Sequence, residues 1–306
     1  MMTKKKLRPS YGPVQKHGPG GIIADAIIYI ILIACMFMAV VPMWHTVTSS
    51  LSDGQLLQAK EGLNWLWETK DGKANFAGYV KTLSYGNYAI VKSYGITLMY
   101  VAGNVLFGLI VNVIGGYVLY RKPKAYKGMT VFVMLTMMFS GGMIPLYMVV
   151  RNLHLTGTPF ALMLPGCTNA MFVIVQMNAF NQVPQSTVES AEIDGAGHFI
   201  TMFRIMLPQA LGLTVVNTIN TAIIAWNSWF DASIYVTNDR QWWPIQLWIR
   251  QIVSENQDII NVARPDWDKY LVSYCVILVA TIPVLCAMPF AQKQLQKGAL
   301  TGAVKE

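Results

Sequence analysis

The chain has 306 residues, of which 54% are hydrophobic and 12% are charged, and its formal net charge is +8 at pH 7. A soluble globular domain carries about 25% charged residues, so this composition excludes an ordinary soluble protein and indicates a membrane protein. The basic residues lie next to apolar runs, where they set topology and meet anionic lipid heads, so the charge does not predict nucleic-acid binding.

Six stretches lack Asp, Glu, Lys and Arg, and each exceeds the roughly 18 to 20 residues that cross a bilayer as a helix. The runs are continuously apolar, without the alternation of barrel strands, and therefore predict helices. We expect an all-α membrane protein with six transmembrane helices in a membrane domain over 22–292. The predicted spans are about 26–48, 94–120, 129–150, 159–182, 209–232 and 270–291.

The distribution of basic residues predicts the orientation of the spans. The connection after the second span carries Arg121, Lys122, Lys124 and Lys127, so the positive-inside rule places it in the cytoplasm. The basic N-terminal tail (1–21) and the C-terminal tail (293–306) then lie on the same side. The run from Ala26 to Trp44 is too long for the core of a cleaved signal peptide, and we expect it to be a retained anchor.

Two long connections, 53–92 and 237–269, then face outside. We expect a short interfacial helix in the first, which contains Trp65 and Trp67. Tryptophans in the second are interpreted either as membrane-surface anchors or as contacts for an external protein; they are Trp242, Trp243, Trp248 and Trp267.

No catalytic or metal-binding pattern is found in the sequence. Gly72-Lys73 is the chain's one Gly-Lys pair and is followed by Ala74, so the phosphate-binding loop of an ATPase is absent. The four histidines lie on different segments and the four cysteines form no CxxC pair, so neither a metal site nor a disulfide framework is expected. We expect no catalytic residue and no cofactor on this chain.

The connection over 183–208 is the most informative segment. Pro184, Ser186 and Glu189 predict a helix over 186–194, with Ser186 and Glu189 spaced as a capping box. Gly195 is its predicted stop. This helix would lie at the cytoplasmic surface with an acidic side; from spacing alone, an ordinary polar loop helix is the alternative.

Glu189-Ser190-Ala191, followed by Asp194-Gly195-Ala196 and by Ile205-x-Leu207-Pro208, resembles the EAA motif of ABC importer permeases, E-A-A-x-x-D-G-A with I-x-L-P downstream. Ser190 replaces the second residue of that motif, a small residue for a small one. The resemblance extends over about 93–306. Over this range the chain is similar to the carbohydrate-uptake branch of the family, in particular to the lipoprotein-associated permeases for polysaccharide fragments. The segments that carry this second likeness are 140–145, 226–231 and 297–305.

The resemblance implies a type I ABC importer permease fold and a multi-pass subunit of a bacterial cell membrane, with both termini cytoplasmic. It implies binding-protein-dependent import of an oligosaccharide. The implied partners are a second similar permease, two copies of an ATPase that binds ATP and Mg, and an extracellular substrate-binding lipoprotein. The implied contacts for the ATPase are Glu189, Ser190, Ala191, Asp194, Gly195 and Ala196. Ala191 is expected to face the ATPase groove, and Gly195 to permit a sharp exit from the helix.

Polar residues inside spans are costly unless they face a cavity or another helix, so they are the candidates for a sugar path. Amides can match sugar hydroxyls, and aromatic faces can stack on a pyranose. The candidates are Asn104, Asn112, Asn169, Asn217, Asn220, Asn227, Trp229 and Asp231. For each asparagine the alternative is an interhelical hydrogen bond, worth about 0.6 kcal/mol in a membrane. Because no Arg or Lys lies inside a span, we expect any partner for an acidic sugar to come from another subunit.

An ion-coupled secondary sugar carrier is the alternative function. Such carriers usually couple to ions through charged residues within the membrane, and the charge-free interiors of the spans argue against this. An intramembrane enzyme would need a clustered nucleophile, base or metal, and the spans contain no such cluster. The sequence therefore predicts a transport subunit, with ATP hydrolysis on a separate chain.

Overall fold

The computed structural model describes residues 19–60, 62–257 and 267–303, and within these ranges the regular structure is helical. The basic N-terminal residues that predict a cytoplasmic tail lie outside the described residues. The helices of the first half are α1 (Pro19–Ser50), α2 (Gly54–Ala59), α3 (Ala77–Tyr120), α4 (Tyr126–Met138), α5 (Met143–Asn152), α6 (Phe160–Met163) and α7 (Ala170–Asn181).

The second half begins with short elements and ends with a long helix. Its helices are α8 (Gln185–Ile193), α9 (His198–Ile200), α10 (Leu207–Gln209), α11 (Leu211–Trp226), α12 (Phe230–Tyr235), α13 (Ile245–Gln257) and α14 (Trp267–Ala303). A π-helical turn over Thr201–Met206 joins α9 to α10, and a 3₁₀ turn over Arg240–Trp242 precedes α13.

Within the described part of the chain, three helical segments are long and apolar enough to cross a membrane. They are Gly21–Ser50, Tyr88–Tyr120 and Leu271–Gln294, and they correspond to the first, second and sixth predicted spans. Two bent pairs of helices would raise the number to five if each pair forms one span. The count of six spans stays a prediction.

The third and fourth predicted spans are not single straight helices. In the third, α4 and α5 meet at 113°, and Gly142 at the break has φ of +85°, a backbone conformation that favours glycine. In the fourth, α7 has 12 residues, which corresponds to about 18 Å of helix. The other helix of this span, α6, has four residues. Neither α6 nor α7 is therefore long enough to cross the roughly 30 Å of a hydrocarbon core alone.

The fifth predicted span is also interrupted. The helical segment His198–Gln209 meets Leu211–Trp226 at 87°, and α11 ends at Trp226. The last residues of the predicted span, 227–232, therefore form a turn and the start of α12.

Helix α3 is much longer than its predicted span, because it begins at Ala77 and contains 44 residues. Gly86 and Tyr88 have φ of +55° and +61°, which interrupts the regular helix; the segment Tyr88–Tyr120 alone has 33 residues and extends about 50 Å, more than the hydrocarbon thickness. The N-terminal part of α3 therefore belongs to the connection that was predicted to lie outside the membrane. The same connection contains the short helix α2; its position at the membrane interface stays a prediction.

Helix α3 is the centre of the packing and contacts α7, α11 and α14. Two of its glycines lie directly against neighbouring chain. A Cβ atom on Gly108 would be 2.2 Å from the carbonyl oxygen of Cys167, and one on Gly116 would be 2.8 Å from Cγ of Gln176. These positions permit α7 and the residues before it to approach α3 at backbone distance.

A tyrosine of α3 compensates for a proline in α14. Pro283 has no N–H, so the carbonyl oxygen of Val279, four residues earlier, lacks its usual helical donor. The hydroxyl of Tyr94 donates a hydrogen bond to this oxygen. The contact satisfies a backbone group that is costly to leave unpaired in a membrane.

Candidate functional site

Helix α8 has the position predicted for the cytoplasmic helix but begins one residue earlier, at Gln185. Its end is well defined. Gly195 has φ of +81°, the N–H of Gly195 donates to the carbonyl of Glu192 at 3.1 Å, and the N–H of Ala196 donates to that of Ala191 at 2.9 Å. Glycine adopts this left-handed conformation without a Cβ penalty, which confirms Gly195 as the helix stop.

The predicted capping box at the start of α8 is wrong. Pro184 is the N-cap residue, and no side chain caps this end. The carbonyl of Pro184 accepts a hydrogen bond from the N–H of Thr187 at 3.1 Å, so Ser186 already lies inside the first turn. There its carbonyl accepts a hydrogen bond from the hydroxyl of Ser190 at 2.8 Å.

The inner face of α8 packs against its own chain. Val188 is 1% exposed and Ala191 is 7% exposed. Val188 belongs to a continuous apolar cluster, which we call the α8 cluster; its other buried residues are Val113, Tyr117, Ala179, Phe180, Val183, Met202, Met206 and Ala210. Ala191 is buried on the same side of the helix as Val188. The expectation that Ala191 faces the ATPase is therefore wrong, because two apolar residues three positions apart lie on one side of a helix and pack into the protein.

The outer face of α8 is made by residues spaced i, i+3, i+4 and i+7, which share one side of a helix. They are Ser186, Glu189, Ser190 and Ile193, and all are exposed. Ile193 is 86% exposed, so an apolar side chain stands among hydroxyls and a carboxylate. Asp194, Gly195 and Ala196 follow directly at the helix end.

Polar contacts attach both ends of α8 to the C-terminal end of α3. The Arg121 guanidinium forms an ion pair with the Glu192 carboxylate, and this hydrogen bond raises the pKa of Arg121. The hydroxyl of Tyr120 donates to Oε1 of Gln185 at 3.0 Å. From the sequence, Arg121 was expected to set topology alone, and its contact with Glu192 was not predicted.

Three of the candidate path residues instead hold helices together. Asn104 and Asn217 are each 4% exposed and Asn112 is 3% exposed. The Asn104 amide donates to the carbonyls of Tyr100 at 2.9 Å and Leu162 at 3.3 Å. The Asn217 amide donates to the carbonyl of Phe172 at 3.1 Å, and Asn112 accepts a hydrogen bond from Thr168. These contacts correspond to the interhelical alternative.

Of the remaining candidates, Asn169 is the N-cap of α7, where its side-chain oxygen accepts a hydrogen bond from the N–H of Phe172 at 3.0 Å. Asn220 is half-buried on α11. Asp231 is exposed, and its carboxylate accepts a hydrogen bond from the hydroxyl of Ser228 at 3.2 Å.

Asn227 and Trp229 come together with residues that the sequence analysis did not select. Asn227 lines a cavity of about 250 Å³ and Trp229 lines one of about 430 Å³. The two cavities share Gln246 of α13 as a wall residue, and we call them together the outer groove. Arg250, one helical turn further along α13, lines the cavity of Trp229, and its guanidinium carbon lies 4.1 Å from the centre of the Trp229 ring.

Two tryptophans of the connection 237–269 are core residues. Trp243 is 6% exposed and Trp248 is 7% exposed, and their ring centres are 4.9 Å apart. The indole N–H of Trp243 donates to the carbonyl of Val236 at 3.0 Å. Both predicted roles, surface anchor and contact for an external protein, are therefore wrong for these two residues, because burial removes them from the surface. The side chain of Trp267 lies outside the described residues.

Comparisons with known proteins agree with this architecture. Residues 104–300 match the family described as binding-protein-dependent transport system inner membrane component. Because this match covers more than half of the chain and includes α8 and both cavities, the chain belongs to that family. The membership confirms the predicted class, a membrane-embedded permease component.

Two relatives come from Bacillus subtilis. The chain is 40% identical over 179 residues to the polygalacturonan/rhamnogalacturonan transport system permease protein YtcP, covering 56% of this chain and 62% of the relative. It is 37% identical over 191 residues to the protein LplC, covering 60% of this chain and 64% of the relative. In both cases the similarity spans less than two thirds of the relative's length.

A solved structure shows the fold. It is a chain of a bacterial ABC transporter involved in the import of the acidic polysaccharide alginate, with a TM-score of 0.78 and 22% identity, covering 90% of this chain and 98% of that chain. The predicted all-α importer-permease fold is thereby confirmed.

Proposed function

We propose that this chain is one permease subunit of an ATP-driven oligosaccharide importer in a bacterial cell membrane. Membership of a binding-protein-dependent transport family supports this function. The printed names of the relatives, which include polygalacturonan and rhamnogalacturonan transport, support a carbohydrate substrate. The subunit would form half of the translocation path.

The proposed complex contains a second similar permease, two ATPase subunits that bind ATP and Mg, and an extracellular substrate-binding lipoprotein. Both termini of this chain would lie in the cytoplasm, on the side of α8. Helix α8 is the proposed contact with the ATPase. The contact would use Glu189, Ser190 and Ile193 on its outer face and Asp194, Gly195 and Ala196 at its end.

The geometry of α8 is the observation that carries this proposal. Val188 packs into the α8 cluster, Ala191 is buried on the same side of the helix, and the Arg121–Glu192 ion pair attaches α8 to the end of α3. Displacement of α8 by a partner would therefore move the segment Tyr88–Tyr120 of α3 as a rigid body. A flexible loop would lose this displacement.

The sugar path would include Asn220 and the outer groove with Asn227 and Trp229. Its amides would bind sugar hydroxyls, while Asn104, Asn112 and Asn217 keep the surrounding helices in position. The aromatic ring of Trp229 provides apolar surface at the same place.

A substitution on the outer face of α8 tests the proposal. Ser190→Trp adds a bulky side chain to the exposed face, whereas Ala125→Trp adds the same side chain at an exposed position of another connection on the same side. In reconstituted vesicles, Ser190→Trp should abolish both uptake and the ATPase stimulation by loaded binding lipoprotein, and Ala125→Trp should retain them. Normal stimulation in Ser190→Trp would contradict the coupling role. Uptake that collapses with the proton gradient and needs no internal ATP would instead identify a secondary carrier.

A further inference from the structure

The outer groove contains a cation whose chemistry the proposed oligosaccharide path does not explain. Arg250 is exposed, and its guanidinium stacks on the face of Trp229 at 4.1 Å. Stacking of this kind fixes the plane of the group. It occupies a face of the guanidinium and leaves the five N–H donors at the edge.

These donors are available to a ligand. Within the described part of the chain, no carboxylate forms an ion pair with Arg250 and no acceptor receives its hydrogen bonds. The nearby carboxylates contact other groups. Glu255 accepts hydrogen bonds from Tyr85 at 3.1 Å and from Gln251, while Asp231 accepts one from Ser228.

The other polar groups of the groove suit a sugar. Gln246 lines both cavities, Asn227 contributes an amide to one and Ser254 a hydroxyl to the other. The Asn227 amide nitrogen donates to the carbonyl of Ile223 at 2.8 Å, which leaves its side-chain oxygen as an acceptor. The larger cavity, about 430 Å³, has a volume in the range of small-molecule sites, about 300–1,000 Å³.

We infer that the outer groove is a subsite for a carboxylated sugar, a uronate, in which Arg250 binds the carboxylate and the amides of Gln246 and Asn227 bind hydroxyls. The planar guanidinium matches both carboxylate oxygens, and its attachment to Trp229 holds it in position for them. The inference rests on the proposed function and names its substrate class. It also revises the expectation that a partner for an acidic sugar comes from another subunit.

Direct binding tests the inference separately from transport. Equilibrium dialysis with radiolabelled trigalacturonate measures its Kd for the complete membrane complex without the binding lipoprotein. Neutral galactotriose serves as the uncharged counterpart. R250Q should weaken trigalacturonate binding about tenfold or more, because loss of a hydrogen bond to a charged group costs at least that factor. The Kd for galactotriose should not change.

R240Q is the matched control, because Arg240 also stacks on a tryptophan, Trp243, at 5.4 Å and does not line the groove. It should bind trigalacturonate as the parent does. Equal trigalacturonate affinity in R250Q and the parent would overturn the inference, as would an equal loss for both sugars or no trigalacturonate binding by the parent. Failure of the proposed function would appear elsewhere, as parental uptake that does not require ATP.

Discussion

The close approach between α3 and the chain before α7 makes Gly108 the most sensitive glycine for substitution. Alanine at this position places a Cβ atom 2.2 Å from the carbonyl oxygen of Cys167, where ordinary contacts begin at 3.4 Å. The oxygen belongs to the backbone and cannot rotate away. The two segments must therefore separate by about 1 Å, and overpacking of this kind typically costs about 1–3 kcal/mol.

The intrinsic helix preference acts in the opposite direction. Alanine in a helix interior is more favourable than glycine by about 0.5–1 kcal/mol, so we expect a net destabilisation of about 1–2 kcal/mol for Gly108→Ala. In a chain of this size the loss corresponds to a decrease in Tm on the order of 5 °C. Thermal unfolding of the purified complex, followed by circular dichroism at the helix band, measures it.

Gly95→Ala in the same helix is the control. Gly95 is exposed, and a Cβ atom there would have no other atom within 4 Å. Its Tm should be unchanged or slightly raised. A Tm of Gly108→Ala equal to or above that of Gly95→Ala would refute the packing argument, because it would mean that α3 and the Cys167 segment are not in contact in the membrane protein.

Three further predictions concern α8 and the side of the membrane proposed to be cytoplasmic. Gly195→Val should reduce substrate-stimulated ATP hydrolysis while the protein still reaches the membrane, because a β-branched residue is strained at φ of +81°; an unchanged ATPase rate would show that the helix end is not needed. Arg121→Gln and Glu192→Gln should be non-additive by about 0.2–1 kcal/mol in a double-mutant cycle of thermal unfolding, as expected for a partly exposed ion pair, and strict additivity would contradict the contact. A cysteine at Thr301 should react with a permeant thiol reagent but not with an impermeant one in intact cells, with the parent chain as background; labelling from outside would overturn the topology.

Composition predicted the helical class and the positions of three spans, because apolar length is a local property of the sequence. It did not predict where α3 begins. The charged residues before it placed the start of the predicted second span at about residue 94, whereas Lys81 and Lys92 lie within the helix that begins at Ala77. Charged residues exclude a segment from lipid but not from a helix, so the part of α3 outside the membrane was read as a connection.

The EAA motif located α8 but did not indicate which of its sides faces the protein. Ala191 carries the resemblance and was expected to contact the partner, yet it is buried on the side of α8 where Val188 packs against residues of α3, α7 and the π-helical turn. The outer groove was missed for a similar reason. Trp229 and Arg250 belong to different elements, and their stacking is a tertiary contact that no local spacing reports.

The hydrogen bond from the Tyr94 hydroxyl to the carbonyl of Val279, four residues before Pro283, links the residue types expected at positions 94 and 283. The tyrosine hydroxyl satisfies an oxygen that lacks its helical donor because residue 283 is proline. In a related permease with alanine at position 283 the helix satisfies that oxygen itself, and the hydroxyl at position 94 loses its acceptor. We therefore expect the two positions to covary across the family, with phenylalanine replacing Tyr94 mainly in chains that lack Pro283.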